Sequence, residues 1–397
     1  AMGLPDFYDP TYSYQGDSAF GYWSVMDGGA YVDYAYAPIG YNAYERSFMG
    51  WLDIKEVPES GLVTLANPNS AEGDMAVMFR NPKNTMEYFI FENRQPGTWY
   101  PEDSGSGVLL TRISYSPSAW MYNSVNTNQT KKRAMVVPAD GALLSDDQGS
   151  EYTLFGNGVN YKTEYRYFDG TENDRPVYGI MKQPDGSIVI SFKDQNAKPE
   201  PIADGGVYEK ITDVSQLNTD DVVVFANEAA GVATADAKKT LFTAVYTKFE
   251  DGKLYGNSMV QEFKLTKNTS DWYIRYNTTG HKYLCATSSG VGSTTKIDKN
   301  VFASINIEGG DATIQFTKTR YDNNNFAFSP TGLFFSTNTG MQGDFQIYRL
   351  IQGSNGISNA IVDEKPADNR MFNLAGQQVG DDYKGIVIQN GKKFMKK

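Results

Sequence analysis

The side chains able to do chemistry are few and unevenly placed along the 397 residues. One histidine, His281, and one cysteine, Cys285, stand four positions apart. On a helix that spacing would share a face, but Tyr283-Leu284-Cys285-Ala286, between Gly280 and Ser288-Ser289-Gly290, reads as a strand. Cys285 is therefore expected to be a buried small hydrophobe, and a lone cysteine excludes an intrachain disulfide. Carboxylates crowd the beginning of the chain at Asp6, Asp9 and Asp17. Oxygen ligands suit calcium, so Asp9 and Asp17 are candidate calcium ligands beside Asp6, although no fixed-spacing calcium loop accompanies them. Pro5-Asp6 and Asp9-Pro10 are also ordinary turn formers. Glu87 and Glu92 border Tyr88-Phe89-Ile90-Phe91, and paired carboxylates can do acid-base work. Five positions apart on a strand, they face opposite ways. Glu92-Asn93-Arg94 reads instead as a polar network at a strand end that fixes the loop around Trp99.

These residues must be positioned by a mainly β scaffold with a few helices. A hydrophobic share of 40% with a charged share of 21% belongs to a folded chain, and 27 Tyr with 22 Phe favour strands. Residues 11–37, rich in Tyr, Gly, Ser and Asp without periodicity, read as an ordered loop segment. A helix is expected over Tyr41 to Trp51, where Tyr44, Phe48 and Trp51 share a face, Gly50 closes the helix and Trp51 enters the core. Short strands follow at Gly61 to Leu65, Met75 to Phe79, Met86 to Phe91, Val108 to Ile113, Tyr152 to Phe155, Val177 to Met181 and Ile188 to Phe192. Asn81-Pro82-Lys83-Asn84 and Gln183-Pro184-Asp185-Gly186 are turn sequences, the second a hairpin loop.

The opening run Gly3-Leu4-Pro5-Asp6-Phe7-Tyr8-Asp9, followed by Gly21-Tyr22-Trp23-Ser24-Val25-Met26-Asp27-Gly28-Gly29, resembles the immune inhibitor A family of secreted zinc metallopeptidases. The likeness continues through Gly40-Tyr41-Asn42-Ala43-Tyr44-Glu45-Arg46, Gly50-Trp51-Leu52, Tyr88 to Gln95 and Pro138-Ala139-Asp140-Gly141, and so covers roughly residues 3–195. The zinc motif of such metzincin-type enzymes is H-E-x-x-H-x-x-G-x-x-H, followed by a methionine turn. The resemblance implies that Gly3 is the glycine of that motif and that Asp6 stands at the third zinc-ligand position. It also implies that Trp23 to Met26 form the methionine turn, with Met26 beneath the metal. The two histidines and the general-base glutamate would precede Ala1 and are absent from this sequence. Relatives place a histidine where Arg112 stands. The chain alone is accordingly expected to bind zinc weakly, and to be inactive.

Four segments are expected. Residues 1–57 would end the catalytic core, 58–195 would be the β-rich region of the peptidase unit, 207–351 an accessory all-β domain, and 370–397 a short β-tail. Asp194 to Gly206, with Pro199, Pro201 and two glycines, reads as a linker, and Gly353 to Asn369 as another. Strand-length runs from Asp221 to Leu350, spaced by Gly and Asn turns, suggest a barrel, trefoil or sandwich. The tail resembles C-terminal β-tails of exported bacterial proteins, and Gln389-Asn390-Gly391 within it is a hairpin signal. The expected function is the C-terminal portion of a secreted zinc endopeptidase acting on protein or peptide, located outside a bacterial cell or on its surface. The alternative is a non-catalytic binding or structural protein that uses residues 207–351 to hold a glycan or a surface protein. A net charge of -11 disfavours nucleic acid. No stretch approaches the roughly 20 apolar residues of a membrane helix, and no signal peptide is expected within these residues.

Overall fold

The computed structural model describes residues 3–11, 17–70, 72–97, 99–100, 105–128, 130–141, 144–145, 151–156, 165–194, 196–238, 240–277, 282–330, 333–337, 343–352, 371–373, 378–380, 384–389 and 392–396. The protein is mainly β with a few short helices. It divides into a large unit, Ala1–Ser354, and a small one, Asn355–Lys397.

The centre of the first half of the large unit is a five-stranded sheet. Its order is Lys55–Glu56, Ala76–Asn81, Asn84–Arg94, Gly107–Ser114 and Ala134–Val136. The first pair is parallel and the others antiparallel. Alternation along the strands explains the continuous apolar runs. Met78, Ile90, Leu109 and Ile113 pack against the N-terminal segment through Leu4, Phe7, Trp23 and Tyr44. Phe79, Phe89, Phe91 and Leu110 face the other way, onto Tyr165 and a three-stranded sheet of Gly61–Leu65, Ile188–Phe192 and Val177–Lys182. A strand buried on both faces has no polar side to show. The 183–186 hairpin is present, with Gly186 N–H donating to the Gln183 carbonyl at 2.9 Å.

Two local expectations are corrected. The helix is only Ala43–Phe48, because Asn42 and Glu45 form a reciprocal capping box at its start and Gly50, at φ +72°, closes it. Trp51 lies beyond that end, 55% exposed and edge-on to Tyr41 at 5.6 Å, so it is not a core residue. The strand expected at Tyr152 to Phe155 is instead a 3-10 turn, Glu151–Thr153. Phe155 makes an isolated two-bond bridge with Val108, outside any ladder among the described residues.

The second half of the large unit is a closed antiparallel barrel. Pairing runs from Val222–Asn227 through Val232–Lys238, Leu241–Tyr246, Phe334–Thr337, Asn325–Ser329 and Asp311–Phe316. It continues through Ala303–Glu308, Asp271–Tyr276 and Phe263–Asn268 back to Val222–Asn227. Phe225, Phe263, Phe326 and Phe345 fill it, with ring centroids 4.7 to 5.8 Å from Phe225. Met181 joins this core from the first half, and Lys238 Nζ meets Glu151 at 2.7 Å.

In the small unit, Met371–Asn373, Gln378–Val379, Gly385–Gln389 and Lys392–Lys396 make one antiparallel sheet. Gln389 pairs with Lys392 across the expected hairpin, whose Asn390 and Gly391 lie outside the described residues. No helix among the described residues is long and apolar enough to cross a membrane.

Candidate functional site

The opening turn and the methionine-containing turn meet in space. Gly3 has φ +87°, a left-handed conformation natural to glycine, and the chain turns there into the buried Leu4 and Phe7. Phe7 N–H donates to the Met26 carbonyl at 2.9 Å, and the Phe7 ring stacks on Phe20 at 4.6 Å. Met26 in turn is held by Glu45, whose carboxylate accepts from Met26 N–H at 3.3 Å, Ser24 Oγ at 2.5 Å and Asn42 N–H at 2.7 Å. Gly29 closes the turn: a Cβ there would lie 2.4 Å from the Ser24 carbonyl oxygen. Burial raises the pKa of Glu45, and the same cause raises that of Asp27, which caps Ser18 Oγ, Phe20 N–H and Gly21 N–H.

Asp6 sits half-buried beside this assembly. Its N–H donates to Asn123 Oδ1, and its Oδ2 accepts from Asn123 Nδ2, both at 2.7 Å. Asn123 follows the helix Pro117–Met121 with φ +52°, a position that suits asparagine. The clamp occupies one carboxylate oxygen and fixes the side chain. Among the described residues no three of His, Cys, Asp and Glu cluster closely enough to hold a metal ion. One carboxylate position, clamped by an amide, is not a zinc site, so the described residues do not fit a catalytic zinc.

The other residues singled out from sequence lie apart. Asp9 accepts from both Thr11 N–H and Thr11 Oγ1, closing a local turn. Asp17 falls in the two-residue strand Asp17–Ser18, paired with Ser145. Glu87 accepts from Asn81 Nδ2 and Phe168 N–H, whereas Glu92 accepts from Ala43 N–H at 2.9 Å on the opposite face. Arg112 donates to the Lys132 carbonyl at 2.8 Å, and burial lowers its pKa. Cys285 is buried, with its thiol pKa raised by burial, and His281 lies outside the described residues.

Sequence reasoning missed Asn123 as the partner of Asp6 and Glu45 as the anchor of Met26. The capping pair Asn42/Glu45 was legible as an N-x-x-E pattern; the Asn123 contact, 117 residues from Asp6, carried no local signal. It also missed a cleft of about 540 Å³ at the strand end, walled by Tyr41, Arg46, Glu92, Arg94 and Trp99. A second, more polar cleft of about 430 Å³ borders the barrel at Tyr208, Asn257, Gln261, Glu262 and Asn277.

No family model matches this chain, and no curated protein matches it. Among solved structures, one titled as the crystal structure of a lysenin pore aligns at 11% identity with a TM-score of 0.25. That alignment covers 67% of this chain and 66% of the other, just under two thirds of its length. A score so low carries no argument about fold or function.

Proposed function

We propose that residues 3–195 belong to a zinc-peptidase type of catalytic unit in which Asp6 is one ligand position over a methionine turn, and that this chain by itself cleaves no peptide bond. The observation that supports the reading is the 2.9 Å bond from Phe7 N–H to the Met26 carbonyl. It joins the opening turn to the methionine-containing turn, the two segments that carry the resemblance. Peptide hydrolysis of this type needs two histidines and a general-base glutamate besides Asp6. The whole enzyme would act on protein or peptide outside a bacterial cell.

A second reading is a non-catalytic secreted binding protein. The Asn123 clamp on Asp6 favours it, as does the barrel cleft, where Asn257, Gln261, Glu262 and Asn277 suit a hydroxyl-rich glycan. Two observations separate the readings. An in-frame H-E-x-x-H ending directly before Ala1 in the coding DNA supports the enzyme, and a stop codon there supports the binding protein. The purified chain is expected to lose zinc on dialysis and to leave casein intact. Retention of one zinc per chain with chelator-sensitive proteolysis would overturn the statement that it is inactive alone.

A further inference from the structure

Arg94 is 6% exposed, yet its guanidinium is poorly satisfied. Nε lies 3.2 Å from Glu92 Oε1 without hydrogen-bond geometry, and Nη2 donates to nothing among the described residues. The plane rests over Tyr100, 5.2 Å from its ring centroid. Arg46, on the helix Ala43–Phe48, approaches the same Glu92 oxygen at 3.5 Å, and its Nε is likewise buried without a partner among the described residues. Burying guanidinium nitrogens unpaired is costly, so their retention at the wall of an open cleft calls for an explanation.

The cleft's lining carries two arginines against one carboxylate, Glu92, whereas the whole chain has a net charge of -11. Trp99, 69% exposed, lines the same cleft, as do Ile39 and Pro68. The walls are braced by backbone. Gly40 N–H donates to the Trp99 carbonyl at 2.9 Å, Gly97 and Tyr100 exchange bonds at 2.9 and 3.1 Å, and Asn69 Nδ2 holds the Pro96 carbonyl at 3.0 Å. Asn93 Nδ2 ties the strand end to the Ala66 and Gly186 carbonyls, both at 2.9 Å. A braced pocket of about this size, lined by apolar groups and a few polar ones, is the ordinary form of a small-ligand site.

We infer that this cleft binds a carboxylate carried next to a flat apolar group, with Arg94 taking the carboxylate and Trp99 stacking on the ring. A planar guanidinium receives a carboxylate through two parallel N–H bonds, and a ligand carboxylate would join Glu92 and the buried Glu45 as an anionic partner of Arg94. The inference does not depend on zinc or on peptide cleavage, so its failure would leave the proposed function where it stands.

The probe is N-acetyl-L-phenylalanine, with N-acetyl-L-phenylalanine amide as its neutral control, titrated into the full chain by calorimetry and tryptophan fluorescence. The carboxylate is expected to bind saturably, and the amide at least about tenfold more weakly. Arg94→Met should bring the carboxylate down to the level of the amide. Because Arg94 is buried and this variant could lose its fold, Trp99→Ala at an exposed position is the second variant. It should keep the unfolding temperature, weaken binding several-fold and remove the fluorescence change. No saturation to about 10 mM, equal affinity for acid and amide, or unchanged binding in folded Trp99→Ala would each overturn the inference.

Discussion

Glu45 and Asp27 carry the N-terminal segment, and both do so as buried carboxylates that accept several bonds. Replacing Glu45 by alanine strands the Ser24 hydroxyl proton and the Asn42 N–H, leaves Met26 N–H only its bond to Ser24 Oγ at 3.0 Å, and should cost about 2–4 kcal/mol in denaturant unfolding. Burial leaves both acids with pKa values above their ordinary ones. The folded state therefore holds more protons than the unfolded chain once pH passes the unfolded values, 3.8 for Asp27 and 4.5 for Glu45. Their contribution is greatest below those values, falls as pH rises towards the folded pKa values, and is constant above them. In Asp27→Asn that fall should be shallower when stability is followed by urea unfolding across this range; an unchanged slope would show that Asp27 does not titrate in this way.

The turn from Trp23 to Gly29 depends on close backbone approach. A Cβ at Gly29 would stand 2.4 Å from the Ser24 oxygen and equally close to Ile39 Cγ2. Gly29→Ala is expected to lower stability by about 2–4 kcal/mol and to loosen the Met26 region, seen as faster amide exchange at Phe7. Elements of this kind differ in how far a sequence discloses them. Gly61–Leu65, Ile188–Phe192 and Leu241–Tyr246 were legible to the residue, since β-branched and aromatic runs between turn formers leave one choice. The helix was legible at its caps but not in length, and Trp51 was misplaced because a periodic pattern was continued past the glycine that ended it. The barrel was one of three expected forms; closure depends on Phe263–Asn268 pairing with both Val222–Asn227 and Asp271–Tyr276, which spacing alone does not encode. At the candidate site, Asp6 and Met26 were singled out through a motif, whereas the cleft around Arg94 is assembled from segments scattered between Val25 and Tyr100, with no local signal.

Across the large unit, the first half and the barrel share an interface. Met181 enters the barrel core, Leu333 packs against the cores of both halves, and Lys238 pairs with Glu151. Residues 3–352 should therefore unfold in one calorimetric transition, and two resolved transitions would show that the halves are independent. The account as a whole turns on whether Asp6 is a ligand position lacking its partners. The direct measurement is the zinc content, after dialysis, of this chain extended at its N-terminus by a helical segment ending H-E-x-x-H immediately before Ala1. The account predicts about one tightly held zinc per extended chain, lost in the same chain with Asp6→Ala, and none in the unextended protein. An extended chain that folds but holds no zinc, or holds it equally well without the Asp6 carboxylate, would contradict it.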